Sequence, residues 1–208
     1  ASTDIEPTRL DAAKNAARAF IDAMPDGTHF GIVAFSGAAG VVAPLTTDRT
    51  EALSGVDRIP SPGGATAIGD ALALARQMVP PVGKRVIVLL TDGVNNRGAD
   101  PLEVANDLKA AAIAVYTVGV GTQSGQLIPG TSELAEIDED ALTTIAQTTG
   151  GKYVRATNAG DLERAFSGLA RTTIWEKRAV DASLPFAIAG GVGLGAVLLA
   201  GVALGRFP

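Results

Sequence analysis

Two short segments carry the oxygen atoms best placed to do chemistry. One is Gly63-Gly64-Ala65-Thr66-Ala67-Ile68-Gly69-Asp70-Ala71-Leu72, and the other is Val88-Leu89-Leu90-Thr91-Asp92-Gly93. The first puts the Thr66 hydroxyl at a predicted helix start. The second puts the Asp92 carboxylate at the end of a predicted central strand. If both loops leave one edge of a sheet, these two oxygens meet there. Hard oxygen donors on converging loops suit Mg²⁺, which takes carboxylate, hydroxyl and water ligands in octahedral geometry. The plainer reading is that Thr66 caps its helix and Asp92 shapes a turn with Gly93, both ordinary uses of these residue types.

Most other chemistries are excluded by composition. Cysteine is absent and His29 is the single histidine, which removes thiolate nucleophiles, Fe–S clusters, thiolate zinc sites and imidazole clusters. His29 has no partner in the pattern and reads as a surface or edge residue at a strand start. Asp138-Glu139-Asp140 could be a paired-carboxylate site, but its place at a predicted helix start makes complementarity to the helix dipole the simpler account. The Ser61-to-Thr66 loop follows a helix and carries no lysine, whereas a phosphate loop follows a strand and usually has one. The net charge of −5 and pI near 4.9 lack the basic footprint that nucleic-acid binding requires. A hydrophobic fraction of 47% against 19% charged excludes a disordered chain.

The elements that must position Thr66 and Asp92 follow from periodicity and caps. Leu10, Ala13, Ala17, Phe20, Ile21 and Met24 share the 3.6-residue period of a first helix, stopped by Pro25-Asp26-Gly27. Phe30 to Phe35 and Val41 to Leu45 read as a hairpin around Ser36-Gly37-Ala38-Ala39-Gly40. Asp48 and Glu51 form a capping-box pattern for a short helix to about Arg58. A break at Ile59 to Gly64 precedes a helix over Ala67 to Met78. Lys84 to Thr91 holds five consecutive aliphatics, Val86 to Leu90, which predicts a strand buried on both faces in a parallel sheet. Asp100-Pro101 with Glu103 opens a helix to about Ala112, and Ile113 to Val120 is the next strand. A long loop runs from Gly121 to about Ile137. A helix from Asp138 to Gly150-Gly151, a strand Tyr153 to Ala156, and a helix capped by Asn158 and Asp161 and running toward Trp175 complete the pattern. Helices alternating with buried strands predict an α/β doubly wound, mostly parallel sheet, whose ligands bind outside the carboxyl ends of the strands, where Asp92 falls.

From Leu184 to Leu204 the chain has no charged side chain, long enough to cross a hydrocarbon core of ~30 Å as a transmembrane helix in the lipid bilayer. Its glycine spacings, Gly191/Gly195 and Gly201/Gly205, are a weak signal for close helix packing. Leu184-Pro185 is not followed by the Thr-Gly of a cell-wall sorting signal. At the other end there is no initiator Met, and Glu6-Pro7 leads directly into a helix.

In this order, the Thr66 and Asp92 segments, with Thr3 to Leu10, Asp140-Ala141-Leu142 through Gly150-Gly151 and the closing apolar helix, resemble a von Willebrand factor type A (VWA) domain. The resemblance is to the membrane-anchored bacterial kind found in aerotolerance-type (Bat) proteins and their actinobacterial relatives, and it covers nearly the whole chain. It implies a Rossmann-like fold with a metal-ion-dependent adhesion site (MIDAS). That site takes oxygens from an Asp-x-Ser-x-Ser motif after the first strand, a threonine and an aspartate. Thr66 and Asp92 match the last two. The first motif and the first, central strand are not in this sequence, so an N-terminally truncated VWA domain is expected, with an unpaired edge between the hairpin and Val86 to Leu90 and poor affinity for a divalent cation as it stands.

The expected organisation is a VWA domain over 1–175, a juxtamembrane linker over 176–183, a span over 184–204 and a tail over 205–208. The resemblance implies a non-enzymatic, metal-dependent interaction domain that binds an acidic side chain of a protein partner, working beside a MoxR-type AAA+ ATPase. A metal-independent scaffold and a phosphate-handling hydrolase using Asp92 are the alternatives. Arg164, Arg171, Lys177 and Arg178 outnumber Arg206, which taken alone places the domain inside. The two earlier helices that the Bat resemblance implies instead place it on the outer face of the cell membrane.

Overall fold

A helix α1 (Arg9–Ala23) leads into a hairpin of β1 (Phe30–Phe35) and β2 (Ala39–Thr46), then α2 (Arg49–Asp57) and α3 (Ile68–Met78). After these come β3 (Val86–Thr91), α4 (Pro101–Ala110), β4 (Ala114–Val120), the two-residue strands β5 (Gln126–Leu127) and β6 (Leu134–Ala135), α5 (Glu139–Thr149) and β7 (Tyr153–Ala156). A last helix, α6, occupies 159–169. The structure is a computed structural model and describes residues 9–61, 65–81, 83, 85–121, 126–127, 134–135 and 137–169. The expected span 184–204, its linker and its tail lie outside the described residues, among which no helix is long and apolar enough to cross a membrane.

The helix starts follow their caps. Asp48 accepts from the Thr50 and Glu51 amides at the head of α2, Asp100 accepts from Leu102 N with Pro101 in the first turn of α4, and Asp138 accepts from Ala141 N at α5. Each satisfies backbone donors that the first turn leaves without an intrahelical partner. Asp138 is thereby accounted for as a cap, and Glu139 pairs with Arg155. At α6, Asn158 Oδ1 accepts from Asp161 N while the Asp161 carboxylate accepts from Thr157 N and Thr157 Oγ1. The Thr157 hydroxyl and amide, with Arg164 alongside, hold the Asp161 carboxyl below its ordinary range.

β3, β4 and β7 form a parallel sheet in the order β3-β4-β7, with Val86 opposite Ala114 through Thr91 opposite Gly119, and Thr117 opposite Tyr153 through Val120 opposite Ala156. Helices cover both faces, as parallel sheets require. On one side Ala12 and Ala16 of α1 and Leu162, Phe166 and Leu169 of α6 bury Val118 and Val120, with Phe20 edge-on to Phe166. On the other, Ile68 and Leu72 of α3, Leu108 of α4 and Leu142 and Ile145 of α5 bury Ile87, Leu89 and Val115. The antiparallel hairpin packs Phe30 and Ile32 against Ile21, Ala52 and Val56.

Among the described residues no ladder joins the hairpin to β3. This corrects the expectation that β3 is buried on both faces: Ile87, Leu89 and Thr91 are buried, but Val86, Val88 and Leu90 are only half-buried. β4, with a strand paired on each side, is buried from Val115 through Val120. Among the described residues β3 has one paired neighbour, and its α1-facing side chains lack the cover that a second would give. The long loop after β4 also holds more than the sequence suggests, since β5 and β6 pair antiparallel within it.

Gly151 lies where α5 turns into β7, and a Cβ there would collide with the Val115 carbonyl of β4. That neighbour is backbone in the middle of a ladder and cannot swing aside. Gly151→Ala is therefore expected to destabilise the domain by ~1–3 kcal/mol, the usual range for overpacking. A lowered urea midpoint with unchanged slope checks it, and an unchanged midpoint contradicts it.

Candidate metal centre

The sheet direction decides where chemistry can occur. β3, β4 and β7 all point the same way, so the loops that follow them open at one edge. The loop after β3 begins with Thr91-Asp92-Gly93. Its turn is held by the Thr91 hydroxyl, which sits 3.3 Å from both Gly93 N and Gly93 O, accepting from the amide and facing the carbonyl as donor. Asp92 is exposed at the rim.

Thr66 reaches this rim from the head of α3. Its hydroxyl lies so close to Gly93 that a Cβ on that glycine would stand 3.2 Å from Thr66 Oγ1. The structure thus brings Thr66 against the residue that directly follows Asp92. It also removes the simpler account of Thr66 as a cap. The N-cap residue of α3 is Ala67, which makes no side-chain cap bond.

The capping of α3 comes from across the site instead. Asn95 Oδ1 accepts from Ile68 N at 2.7 Å and Gly69 N at 3.4 Å, and Asn95 Nδ2 donates to Ala99 O. Asn96 closes a two-way pair with Thr66: its Oδ1 accepts from Thr66 N at 2.8 Å, and its own N–H donates to Thr66 O at 3.0 Å. Asp70 Oδ1 accepts from Ala99 N at 2.9 Å. A Cβ at Gly69 would collide with the Ala99 carbonyl, and one at Gly98, whose φ is +76°, with the Asp70 carboxylate. Only glycines allow the two loops to lie this close. A third loop joins them, since Ala67 N donates to Ser36 O in the β1–β2 turn at 2.8 Å. Nothing in the pattern of Val94-Asn95-Asn96-Arg97-Gly98 announced these bonds, which span about thirty residues of sequence; the asparagine pair directly after Asp92-Gly93-Val94 was the one available signal.

The donors at this rim are a hydroxyl and a carboxylate, which fits a hard divalent cation and not a thiophilic one. They would supply two of the six ligands that Mg²⁺ takes, leaving water and further protein or partner oxygens to complete the shell. Among the described residues no group of three or more His, Cys, Asp or Glu is placed to hold a metal. In Asp138-Glu139-Asp140, Asp138 is the cap of α5 and Glu139 pairs with Arg155. His29 is exposed just before β1, as expected of a surface residue. Beside Gly93 a cavity of about 380 Å³ opens between the heads of α4 and α5, floored by Ile68, Leu142 and Ile145 and lined also by Val94 and Leu102. Val94 and Leu102 are 42% and 38% exposed, unusual for side chains of their size among the described residues.

Further along the same edge, the Tyr153 hydroxyl is shut away from water beside Glu139 without reaching hydrogen-bond geometry among the described residues. It packs so close to β4 that a Cβ at Gly119 would stand 3.0 Å from it. Burial, and then the neighbouring Glu139 carboxylate, push its pKa from 10.0 up to about 12. The unfolded chain therefore loses this proton first. Stability from the group is intact below pH 10 and falls as pH rises toward 12. Tyr153→Phe should flatten that alkaline loss and cost little near neutrality, because it deletes an unsatisfied buried hydroxyl. Denaturant melts of both proteins across the alkaline range check this, and parallel pH profiles contradict it.

The comparisons with known proteins agree with this architecture. The family model for the von Willebrand factor type A domain matches residues 1–167. A UPF0353 protein of Mycolicibacterium paratuberculosis is 31% identical over 223 residues, covering 99% of this chain and 66% of that protein, so the chain spans just under two thirds of the relative's length. Among solved structures, an aerotolerance-related membrane protein from Bacteroides fragilis superposes with a TM-score of 0.69 at 27% identity, covering 82% of this chain and 92% of that one. BatB from Bacteroides thetaiotaomicron gives 0.66 at 28% identity with the same coverage. The parallel sheet, the loops gathered at its carboxyl edge and the extent of the family match together show that this chain belongs to the von Willebrand factor type A domain family.

Proposed function

We propose that this protein is a membrane-anchored interaction domain in which Mg²⁺, held in part by Thr66 and Asp92, binds an acidic side chain of a protein partner. The observation that carries the reading is the Thr66 hydroxyl lying against Gly93, directly after Asp92, at the carboxyl edge of the sheet. A bound Mg²⁺ supplies positive charge and an open coordination position that a carboxylate fills. The chain's own part is to fix two hard oxygens on loops that are hydrogen-bonded to each other. The exposed Val94 and Leu102 around the adjoining cavity offer apolar surface to a protein partner. A hydrolase reading would lack a cysteine or histidine nucleophile at this rim, since the chain has no cysteine and its single histidine, His29, precedes β1.

Membrane anchoring rests on the charge-free stretch 184–204 and on the aerotolerance-related membrane protein among the structural relatives. We place the domain on the outer face of the cell membrane and a MoxR-type AAA+ ATPase among its working partners, both on the strength of the Bat resemblance. A metal-independent scaffold is the competing reading, favoured by the small number of metal donors among the described residues.

Calorimetric titration of the full-length protein with Mg²⁺ and Mn²⁺ separates the two. Asp92→Asn and Thr66→Val are each expected to weaken binding by about tenfold or more. Equal affinity in wild type and Asp92→Asn, or no binding at all, supports the scaffold.

A further inference from the structure

The asparagines Asn95 and Asn96 are not metal donors in the reading above, yet they bond directly to Thr66 and to the head of α3. Asn96 binds Thr66 through both its side chain and its backbone, at 2.8 and 3.0 Å. Asn95 takes over the capping of α3 that Ala67 cannot perform. Both lie within four residues of Asp92, on the same loop. The pair therefore ties the hydroxyl-bearing loop to the carboxylate-bearing loop independently of any bound ion.

We propose that Asn96, supported by Asn95, is a positioning residue of the metal centre: its side-chain oxygen holds the Thr66 backbone so that the hydroxyl faces the Asp92 loop before metal arrives. The inference rests on the metal-binding reading of Thr66 and Asp92. Its physical content is preorganisation. Two donors already fixed relative to each other lose less conformational freedom when a cation binds than two donors on independent loops. The bond needs an acceptor oxygen at position 96 and does not need the amide nitrogen, since Asn96 Oδ1 is the atom that Thr66 N reaches. Aspartate can supply that oxygen and leucine cannot.

The test compares Asn96→Leu, which keeps the approximate size and removes the acceptor, with Asn96→Asp, which keeps the acceptor. Mn²⁺ affinity of the full-length protein and amide hydrogen exchange at Thr66 are measured for both. Asn96→Leu is expected to weaken Mn²⁺ binding by about tenfold, the lower end of what outer partners of metal ligands cost, and to speed exchange at Thr66 N while Ile68 N, bonded to Asn95, stays protected. Asn96→Asp is expected to retain both the affinity and the protection. Unchanged Thr66 exchange in Asn96→Leu overturns the clasp itself, whatever the metal result. Faster exchange with unchanged Mn²⁺ affinity overturns the positioning role and leaves the metal reading standing. Equal loss in the leucine and aspartate variants overturns the assignment to the acceptor oxygen. Absence of Mn²⁺ binding in the wild type overturns the metal reading, and the positioning role with it.

Discussion

The parallel pairing of β3 with β4 is the constraint on which the rest depends. Val86 through Thr91 run beside Ala114 through Gly119 without a break in register. Parallel strands cannot be joined by a tight turn and need a crossover. α4 provides it, and its Leu108 and Ala105 seal one face of the sheet. Because both strands point the same way, Asp92 and the long loop after Val120 emerge at one edge. Reversing either strand would separate them by the length of the sheet.

The hairpin is held by different means. With no ladder to β3 among the described residues, its position there depends on side-chain packing and on a few backbone bonds from loops. Phe35 packs with the cluster that contains Ile68 and Leu72, and Ser36 O binds Ala67 N. α3 thus touches both the hairpin and the main sheet, and its head carries Thr66 toward the rim. The candidate centre sits where three loops converge, after β1, before α3 and after β3. Each is tied to another by a backbone or asparagine hydrogen bond. Bonds of this kind contribute about 0.5–1.5 kcal/mol each; more important here, they remove the independent motion of the loops.

Local patterns were legible in the sequence where one segment decides its own conformation. β1 and β7 occupy the residues that their apolar runs mark, Phe30–Phe35 and Tyr153–Ala156. Asp48 and Asp100 cap the helices they precede. The Thr66 and Asp92 segments were recognisable because residue type and order together are distinctive. What the sequence hid were contacts between distant segments. The half-buried face of β3 goes with its having one paired neighbour among the described residues, which an aliphatic run cannot report. Thr66 looked like a cap because threonine before a helix usually is one; that Asn95 does this work depends on how two loops meet. The β5–β6 pair is too short for any periodicity to show.

If Thr66 and the Asp92 loop form one cation site at the carboxyl edge of the sheet, trace Mn²⁺ will reveal it through paramagnetic broadening in amide NMR spectra of the full-length protein. Signals of Thr66, Asp92, Gly93 and Asn96 are then expected to vanish first, with those near Asp138 to Asp140 persisting to higher Mn²⁺. Broadening centred on Asp138 to Asp140, or spread evenly over the acidic surface, would contradict it.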